Sequence, residues 1–293
     1  MLKSKLATAA AALAMSLGAI GSAQAGPISI SSGDFIFNIT NFDSGTTGYS
    51  AGTPTCSTVA GCDAAAGSPA PGSLGSFNPS ADTMGVFSVL NITNLAGNVV
   101  YWSSGPGSYL TGVFGGLEDY HVDSGCIGST CMTSTKAVGG TWALYQNTTD
   151  YDPSQGPLVK PGLDLNDLKY PGITGGTLFL SGVFSAGVLA GDTTTTYQST
   201  YNNASISGVG AGYLDITGGS AMGTYTAGSG VIDKNNVKHD LYLTTGFDSL
   251  NVTNGWTVTS TGQIKGNVPE PGTMALAGLA LLGAGLASRR RKS

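Results

Sequence analysis

Short runs in which apolar and polar residues alternate recur along the middle of the chain. In the first run, Phe35, Phe37 and Ile39 alternate with Ile36, Asn38 and Thr40, and a period of two predicts a β-strand with one buried face. Gly, Asn, Asp and Pro separate this run from the next, as expected of turns. Similar runs rich in β-branched and aromatic residues cover positions 86–92, 99–102, 109–114, 142–146, 177–184, 193–206, 213–217, 241–247 and 256–259.

This spacing of short strands predicts an all-β fold, and we expect an antiparallel β-sandwich or a jelly-roll-like domain. Helix signals are nearly absent from these runs, and nothing shows the strand–helix alternation of a parallel sheet. Residues 43–80 and 150–171 look least structured, because both segments are rich in turn-forming and small residues. We interpret the second segment as a long connection within one domain.

One sequence pattern occurs twice. Residues 109–116 read Y-L-T-G-V-F-G-G, and residues 179–186 read F-L-S-G-V-F-S-A. Each run places a glycine in mid-strand, where glycine often marks a bulge or a close approach of two backbones. A duplicated half-domain is one explanation of this echo, and two core strands of like composition are the other, which we favour.

The start of the chain is basic and then apolar. Lys3 and Lys5 precede an apolar segment at 6–20, and Ala23-Gln24-Ala25 follows it. A basic start, an apolar core and an A-x-A site are typical of a secretory signal peptide. We therefore expect residues 1–25 to direct export through the Sec translocon and to be removed by cleavage after Ala25.

The other end of the chain carries a three-part pattern. An apolar stretch at 273–287 is preceded by Val268-Pro269-Glu270-Pro271 and followed by a basic end, Arg289, Arg290, Arg291 and Lys292. This order resembles the PEP-CTERM sorting tail of exported proteins of Gram-negative bacteria, a family named after the Pro-Glu-Pro motif. The resemblance covers about a tenth of the chain. It implies processing by an exosortase-type membrane protease and delivery to the cell surface or extracellular matrix.

The apolar stretch of the tail is short for a membrane anchor. Residues 274–287 would rise about 21 Å as a helix, against a hydrocarbon core of roughly 30 Å, and the basic end would stay in the cytoplasm. We therefore expect a short apolar helix that anchors the protein transiently in the inner membrane. The predicted organisation is a signal peptide at 1–25, an extracellular all-β domain at 26–267 and a sorting tail at 268–293.

Between its two ends the chain is acidic and contains no arginine. Residues 26–267 hold six lysines against sixteen Asp and Glu residues, a formal charge of −10. Nucleic-acid binding depends on neutralising phosphates, so we expect no nucleic-acid partner. All 24 aromatic residues lie in this part of the chain, which indicates a folded domain, since disordered segments are poor in aromatics.

Four cysteines form two close pairs, Cys56 with Cys62 and Cys126 with Cys131. The residues within each pair are mostly small and include glycine, as a short loop closing on itself requires. Because exported proteins meet oxidising surroundings, we predict two local disulfides, 56–62 and 126–131. The alternatives are the other two pairings of four cysteines and a zinc site, which spacings wider than C-x₂-C disfavour.

Candidate metal ligands are few. Asp119, His121 and Asp123 would share one face of a regular strand and could hold a divalent metal, although we prefer to interpret them as a solvated strand edge or loop. Aspartate or asparagine at 150, 152, 164, 166 and 167 brings oxygen atoms together in the proline-rich segment. Structural calcium is therefore an alternative, while our prediction is no metal site and no cofactor.

The sequence predicts no catalytic centre. His121 and His239 are the only histidines, no G-x-S-x-G elbow occurs, and a triad needs a base beside a nucleophile and an orienting carboxylate. A cleft that gathers either histidine with a serine and an aspartate would instead favour a secreted hydrolase.

The resulting expectation is a non-enzymatic exported protein, structural or adhesive in an exopolysaccharide-rich biofilm coat. The alternative is a carbohydrate-binding module. Exposed aromatic platforms at Trp102, Trp142 or Trp256 would favour that alternative, and buried tryptophans would disfavour it.

Overall fold

The structure is a computed structural model that describes residues 28, 30, 32–45, 56–66, 83–148, 172–202, 204, 205, 207–226, 228, 230–248 and 258–268. The predicted signal peptide, the proline-rich segment at 150–171 and the tail after residue 268, with its expected apolar helix, lie outside these ranges. Within them, no helix is both long enough and apolar enough to cross a membrane.

Strands dominate the described part of the chain. The two helices are short: α1 covers Val59–Ala66 and α2 covers Met222–Tyr225. The strands are β1 Gly33–Gly45, β2 Thr83–Asn94, β3 Val100–Ser103, β4 Tyr109–Ile127, β5 Thr130–Asn147, β6 Thr177–Ser185, β7 Tyr197–Asn202, β8 Ser207–Gly218, β9 Val231–Ile232, β10 Lys238–His239, β11 Leu241–Asp248 and β12 Val258–Val268.

The main sheet closes into a barrel because β1 pairs with both β12 and β2. The β1–β12 pairing is antiparallel and runs from Gly33 opposite Val268 to Asp43 opposite Val258. The order around the barrel is β1-β12-β11-β8-β6-β5-β4-β2, and β1 pairs with β2 to complete the circle. The predicted all-β class is confirmed, whereas a closed eight-stranded barrel replaces the expected sandwich or jelly roll.

The sequence did not predict a barrel because the alternation of apolar and polar residues along a strand does not indicate whether the sheet closes on itself. Sandwiches and barrels both bury one face of every strand, so the same period of two is expected in each. What distinguishes the barrel here is the pairing of the first strand with the last, a contact between residues more than two hundred positions apart.

Two strands share one position in the barrel wall. β6 pairs with residues 141–146 of β5, and β7 pairs with residues 132–137 of the same strand. Both also pair with β8 on their other side. Residues 186–196 connect β6 to β7 and lie outside the sheet, so the run predicted as one strand at 193–206 begins only at Tyr197.

Aromatic side chains fill one end of the barrel, which we call the closed end. Phe35, Phe37 and Phe179 pack around Tyr225, which α2 brings over this end. The ring centroids lie 5.1 Å apart for Phe35 and Tyr225 and 5.7 Å apart for Phe179 and Tyr225. All four side chains are buried, so the closed end is a packed apolar core.

Inward-facing glycines make room for these bulky neighbours. A Cβ on Gly112 of β4 would collide with the ring of Phe87, and one on Gly182 of β6 would lie 2.9 Å from the indole of Trp142. These are the mid-strand glycines of the repeated sequence pattern, and in both strands a phenylalanine two positions later faces the interior. The predicted close approach is confirmed at both sites.

The segment around the first cysteine pair continues the wall beside β4. The pairing of β4 with β2 ends at Leu117, opposite the first residue of β2. Further along β4, Val122 pairs with Cys56 instead, through two backbone hydrogen bonds of 3.0 and 3.1 Å. Helix α1 follows directly, with Thr58 accepting a hydrogen bond from the Gly61 N–H at 3.1 Å. We expected residues 43–80 to be among the least structured, and the sequence did not predict this helix because it is too short to show a helical period.

Candidate functional site

The end of the barrel opposite the aromatic cluster contains a cavity and defines the polar end. The cavity offers about 60 Å³ to the centres of water-sized molecules. Polar residues from four strands line one side: Asn41, Asp43, Thr83, Tyr197 and Thr245. The remaining wall is apolar and is formed by Ile39, Phe87, Phe114, Leu117, Trp142, Phe184, Leu214, Leu243 and Ile264.

The polar side chains of the cavity are held by hydrogen bonds across strands. The hydroxyl groups of Tyr197 and Thr245 lie 2.9 Å apart. Ser260 donates its hydroxyl hydrogen to Oδ1 of Asn41, a residue of β1 that faces the interior of the barrel. These bonds fix the positions of buried polar groups, so the polar side of the cavity is preorganised.

Asp43 is the ionisable group of this cavity. Asp43 as a whole is half-buried, and its Oδ1 atom is shielded from solvent. Burial raises the pKa of its carboxyl from 3.8 to about 7, although a backbone hydrogen bond acts in the opposite direction. A carboxyl perturbed by desolvation inside a cavity is a recognised mark of a functional site.

Trp142 adds a second unusual group to the same cavity. Its side chain is only 6% exposed, and its buried indole Nε1 has no hydrogen-bond acceptor among the described residues. A buried donor without an acceptor costs about 1–3 kcal/mol. Trp142 was a candidate platform for the alternative function of carbohydrate binding, and its burial inside the barrel disfavours that role.

Sequence reasoning did not single out the polar residues of the cavity. A signal exists in β1, where the inward positions 35, 37, 39, 41 and 43 read Phe, Phe, Ile, Asn and Asp. The change from apolar to polar residues on one face marks the passage from the closed end to the polar end. Residues from the other strands join this site only through the closure of the barrel.

His239 lies on the outside of the barrel in a buried polar cluster. Its Nδ1 lies 3.0 Å from Asp215 Oδ2, its Nε2 lies 3.4 Å from Asp233 Oδ2, and the Tyr213 ring stacks on it at 4.9 Å. Ser185 Oγ donates to Asp215 Oδ2 at 2.6 Å and therefore binds the carboxylate rather than the imidazole. His239 is not part of the cavity lining.

The two carboxylates occupy both nitrogens of this imidazole, so the arrangement differs from a triad, in which one nitrogen faces the nucleophile. Burial alone would raise the pKa of Asp233, but hydrogen bonds from the backbone N–H groups of Val237 and Asn235, together with the contact to His239, outweigh burial and lower it. The bonds to Asp233 close the turn of the β9–β10 hairpin, and the contact of His239 with Asp215 fastens this hairpin against β8. The cluster thus has a structural explanation that requires no bound substrate.

The candidate metal ligands of β4 are separated by a β-bulge. The pairing of β4 with β5 shifts between Asp119 and His121, which leaves Tyr120 as the extra residue. Asp119 is buried, whereas Asp123 is exposed, so the face expected to carry all three ligands is broken. Across the described ranges, no group of three His, Cys, Asp or Glu residues is close enough to hold a metal ion.

Hydrogen bonds of the Tyr120 side chain account for the bulge. The Tyr120 hydroxyl lies 2.6 Å from Thr195 Oγ1 and 3.3 Å from Asp192 Oδ2, both in the segment that leaves the sheet after β6. The extra residue therefore directs a tyrosine onto this segment. The alternative calcium ligands between 150 and 167 lie outside the described residues.

Both predicted disulfides are present, Cys56–Cys62 and Cys126–Cys131. The first is buried with Val122 and Tyr201 in a small apolar cluster. The second closes the exposed tip of the β4–β5 hairpin. No free cysteine remains, so the alternative zinc site and the cross-pairings are wrong.

The predicted sorting motif begins inside the barrel. Val268 is the last residue of β12, is 5% exposed and lies opposite Gly33 of β1. Asn267 Nδ2 donates to Asp34 Oδ1 at 2.7 Å just before it. Pro269 therefore follows a buried core residue directly, and the chain leaves the barrel at the closed end.

Comparison with known proteins gives one match. Residues 267–292 match the family model described as the PEP-CTERM protein-sorting motif, so the predicted resemblance is confirmed. No curated protein and no solved structure matches the chain. The matched tail implies that the chain is exported, passes through a membrane-anchored intermediate and is processed by an exosortase.

Proposed function

We propose that this chain is a structural or adhesive protein of the cell surface or extracellular matrix of a Gram-negative bacterium, within an exopolysaccharide-rich biofilm coat. The observation that carries the proposal is the sorting motif that starts in β12. It implies export and transient anchoring in the inner membrane. The β-barrel is then the part of the molecule that reaches the outside.

The position of the motif supports display of the polar end. Gly33 and Val268 lie opposite each other at the closed end, so a tail in the membrane holds the barrel by that end. The polar end and the disulfide-closed tip of the β4–β5 hairpin then point away from the membrane. Such an orientation leaves the polar end accessible in the anchored intermediate.

Neutral amide groups on the outer surface supply suitable contacts. Gln263 Nε2 donates to Asn38 Oδ1 at 3.2 Å, and Asn38 Nδ2 donates to Asn91 Oδ1 at 2.7 Å. These three residues form an amide row across β12, β1 and β2. Amides can bond sugar hydroxyls as well as each other, and weak single contacts gain strength when many copies are displayed.

The amide row also favours the second candidate function, a carbohydrate-binding module, whose sugar contacts in the described part of the chain would be polar. Trp142 lies inside the barrel, and Trp102 is half-buried with its Nε1 donating to Ser108 Oγ at 2.9 Å. Trp256 lies outside the described residues. Neither of the two described tryptophans therefore offers an open platform for a sugar ring.

We further propose that the barrel is not an enzyme. His239 has carboxylates on both ring nitrogens, and Ser185 is hydrogen-bonded to Asp215. A secreted hydrolase would need one of these contacts to be replaced by a serine–imidazole contact. A screen of the exported protein with ester and glycoside substrates tests this point, and turnover abolished by His239→Gln would overturn it.

The adhesive role is tested by co-sedimentation of the exported protein with exopolysaccharide isolated from the host bacterium. The variant Asn38→Ala/Asn91→Ala breaks the amide row and should reduce the bound fraction several-fold. Asn267→Ala, in the exposed pair with Asp34 at the closed end, is the matched control and should bind as the unaltered protein does. Equal loss in both variants, or no binding by the unaltered protein, would contradict the proposal.

Processing of the tail is tested separately by intact-mass measurement of the extracellular protein. We expect a species that ends close to Pro269-Glu270-Pro271 and lacks the basic end, residues 289–292. An extracellular species that retains these residues would show that the tail is not removed.

A further inference from the structure

The cavity at the polar end has the composition of a small-molecule site. Phe114, Phe184 and Leu214 form part of its apolar wall, and Asn41 and Thr83 stand on its polar side. Ligand sites are usually concave and mostly apolar, with a few polar groups that fix the orientation of the ligand. A simple packing defect between apolar strands would have no reason to collect polar side chains from several strands.

Trp142 shows which polar contact a ligand would complete. The hydroxyls of Tyr197 and Thr245 already pair with each other at 2.9 Å, and Asn41 is bonded to Ser260. The indole Nε1 of Trp142 is buried and meets no acceptor in the described part of the chain. Because an indole N–H only donates, a ligand that pairs with it must supply an acceptor.

The size of the cavity limits what can enter it. A single water needs roughly 10–15 Å³ of space measured at its centre, and the cavity offers about 60 Å³ in this measure. The space therefore suits a compact molecule of roughly five non-hydrogen atoms. Larger guests would require the aromatic wall to move.

We propose that this cavity binds a compact, largely apolar molecule whose carbonyl or hydroxyl oxygen accepts a hydrogen bond from Trp142 Nε1. The apolar part of the guest packs against Phe114, Phe184 and Leu214, and its oxygen points to the indole. Asp43 lines the same cavity and offers a second polar contact. This site is independent of the outer amide row and of the proposed adhesive role.

The proposal can be tested by NMR on the exported protein labelled with ¹⁵N. The three tryptophans give three indole N–H signals, and the variant Trp142→Phe identifies the one that belongs to Trp142. The probe is 2-butanone, which has an acceptor oxygen and a matching size. Its control is 2-methyl-1-butene, which has nearly the same shape but carries a methylene group in place of the carbonyl oxygen.

Titration with the ketone should move the Trp142 signal downfield in a saturable manner. The ketone should bind about two- to tenfold more tightly than the alkene, the range expected of one hydrogen bond. In Trp142→Phe this preference should disappear. If that variant does not fold, Trp102→Phe and Trp256→Phe assign the Trp142 signal by elimination, and a downfield shift of that signal with the ketone but not with the alkene decides the question.

Three outcomes would overturn the proposal. The first is an indole signal of Trp142 that stays fixed up to the solubility limit of the ketone, which would leave the cavity to water. The second is equal affinity for ketone and alkene, which would exclude the hydrogen bond. The third is a preference for the ketone that persists in Trp142→Phe, which would place the acceptor contact elsewhere.

Discussion

The two ends of the barrel are built on the same strands and have opposite chemistry. Along β1, Phe35 and Phe37 face a packed aromatic cluster, whereas Asn41 and Asp43 face a cavity. Both ends obey the same alternation, so the pleat of the strand decides which residues point inward. The identity of those residues decides whether an end stabilises the fold or remains available for binding.

The difference has a consequence for stability. Burial of apolar side chains stabilises the closed end, and buried polar groups lower the stability of the polar end unless hydrogen bonds compensate. The chain also leaves the barrel at the closed end through Val268. The stable end is therefore the end next to the sorting motif, and the less stable end is the one that faces away from the membrane in the proposed orientation of the anchored intermediate.

The largest expected effect comes from breaking the closed end. Phe37 is 1% exposed and packs 5.1 Å from Phe35 and 5.7 Å from Tyr225, measured between ring centroids. Phe37→Ala should lower the free energy of unfolding by about 3–5 kcal/mol. Thr83→Ala, at the polar end, should lower it by less than about 1 kcal/mol. Denaturant unfolding of the exported protein measures both, and similar losses would mean that the two ends do not differ in this way.

The second effect is a pH dependence that comes from the polar end. The pKa of Asp43 rises from 3.8 to about 7 on burial, so the folded state holds a proton that the unfolded state releases. This contribution to stability is complete below about pH 4 and is lost as the pH rises to about 7. At about 1.4 kcal/mol per pKa unit the loss is at most about 4 kcal/mol.

Asp43→Asn should remove this part of the pH dependence and make the protein more stable at pH 8 than the unaltered chain. Asp123→Asn, on an exposed position of β4, is the control and should leave the pH profile unchanged. The measurement is the free energy of unfolding between pH 4 and pH 8. An identical slope in Asp43→Asn and the unaltered protein would show that Asp43 stays ionised in the fold.

The same comparison explains how far the sequence could predict the structure. Alternation in β1 gave the strand and the inward face, and the cysteine spacing gave both disulfides, because these are local properties. The cavity depends on Tyr197 of β7 and Thr245 of β11 meeting Asp43 of β1. Their meeting requires the first and last strands to pair, and no local pattern encodes a contact of that sequence separation.

The shared strand face assumed for the alternative metal site is interrupted for a related reason. A regular strand would put Asp119 and His121 on one face, but the bulge at Tyr120 changes the phase of the strand. The bulge is explained by the hydroxyl of Thr195, which lies in a segment seventy-five positions away. The sorting tail could be predicted because its motif, apolar stretch and basic end are contiguous in the sequence.

The third effect separates the two disulfides, both of which lie toward the polar end. Closing a loop this short should contribute about 2 kcal/mol. Cys126→Ala/Cys131→Ala should cost about that amount. Cys56→Ala/Cys62→Ala should cost more, because Cys62 is fully buried beside Val122. Unfolding measurements give the ranking, and a larger cost at the exposed hairpin tip would reverse this interpretation.

Hydrogen exchange on the same two variants sharpens the comparison of the ends. Backbone amides of β1 near Gly33, at the closed end, should keep their protection in both variants. Amides around Val122 should lose protection when the first disulfide is removed, because Cys56 pairs with this residue. Uniform loss along the barrel would indicate that the two ends unfold as one unit.

The smallest expected effect uses one tyrosine from each end. The Tyr197 hydroxyl, at the polar end, is bonded to Thr245 at 2.9 Å, so Tyr197→Phe removes a buried hydrogen bond and should cost about 1 kcal/mol. The Tyr225 hydroxyl, at the closed end, is buried and has no hydrogen-bond partner among the described residues. Tyr225→Phe should therefore be neutral or stabilise the protein by up to about 1 kcal/mol, because it removes the desolvation cost of that group.

Denaturant unfolding of the two variants measures the sign of each change. Opposite signs are expected because the same deletion removes a paired hydroxyl at one end and an unpaired one at the other, and a loss of equal size in both would show that the closed end tolerates no change of this kind.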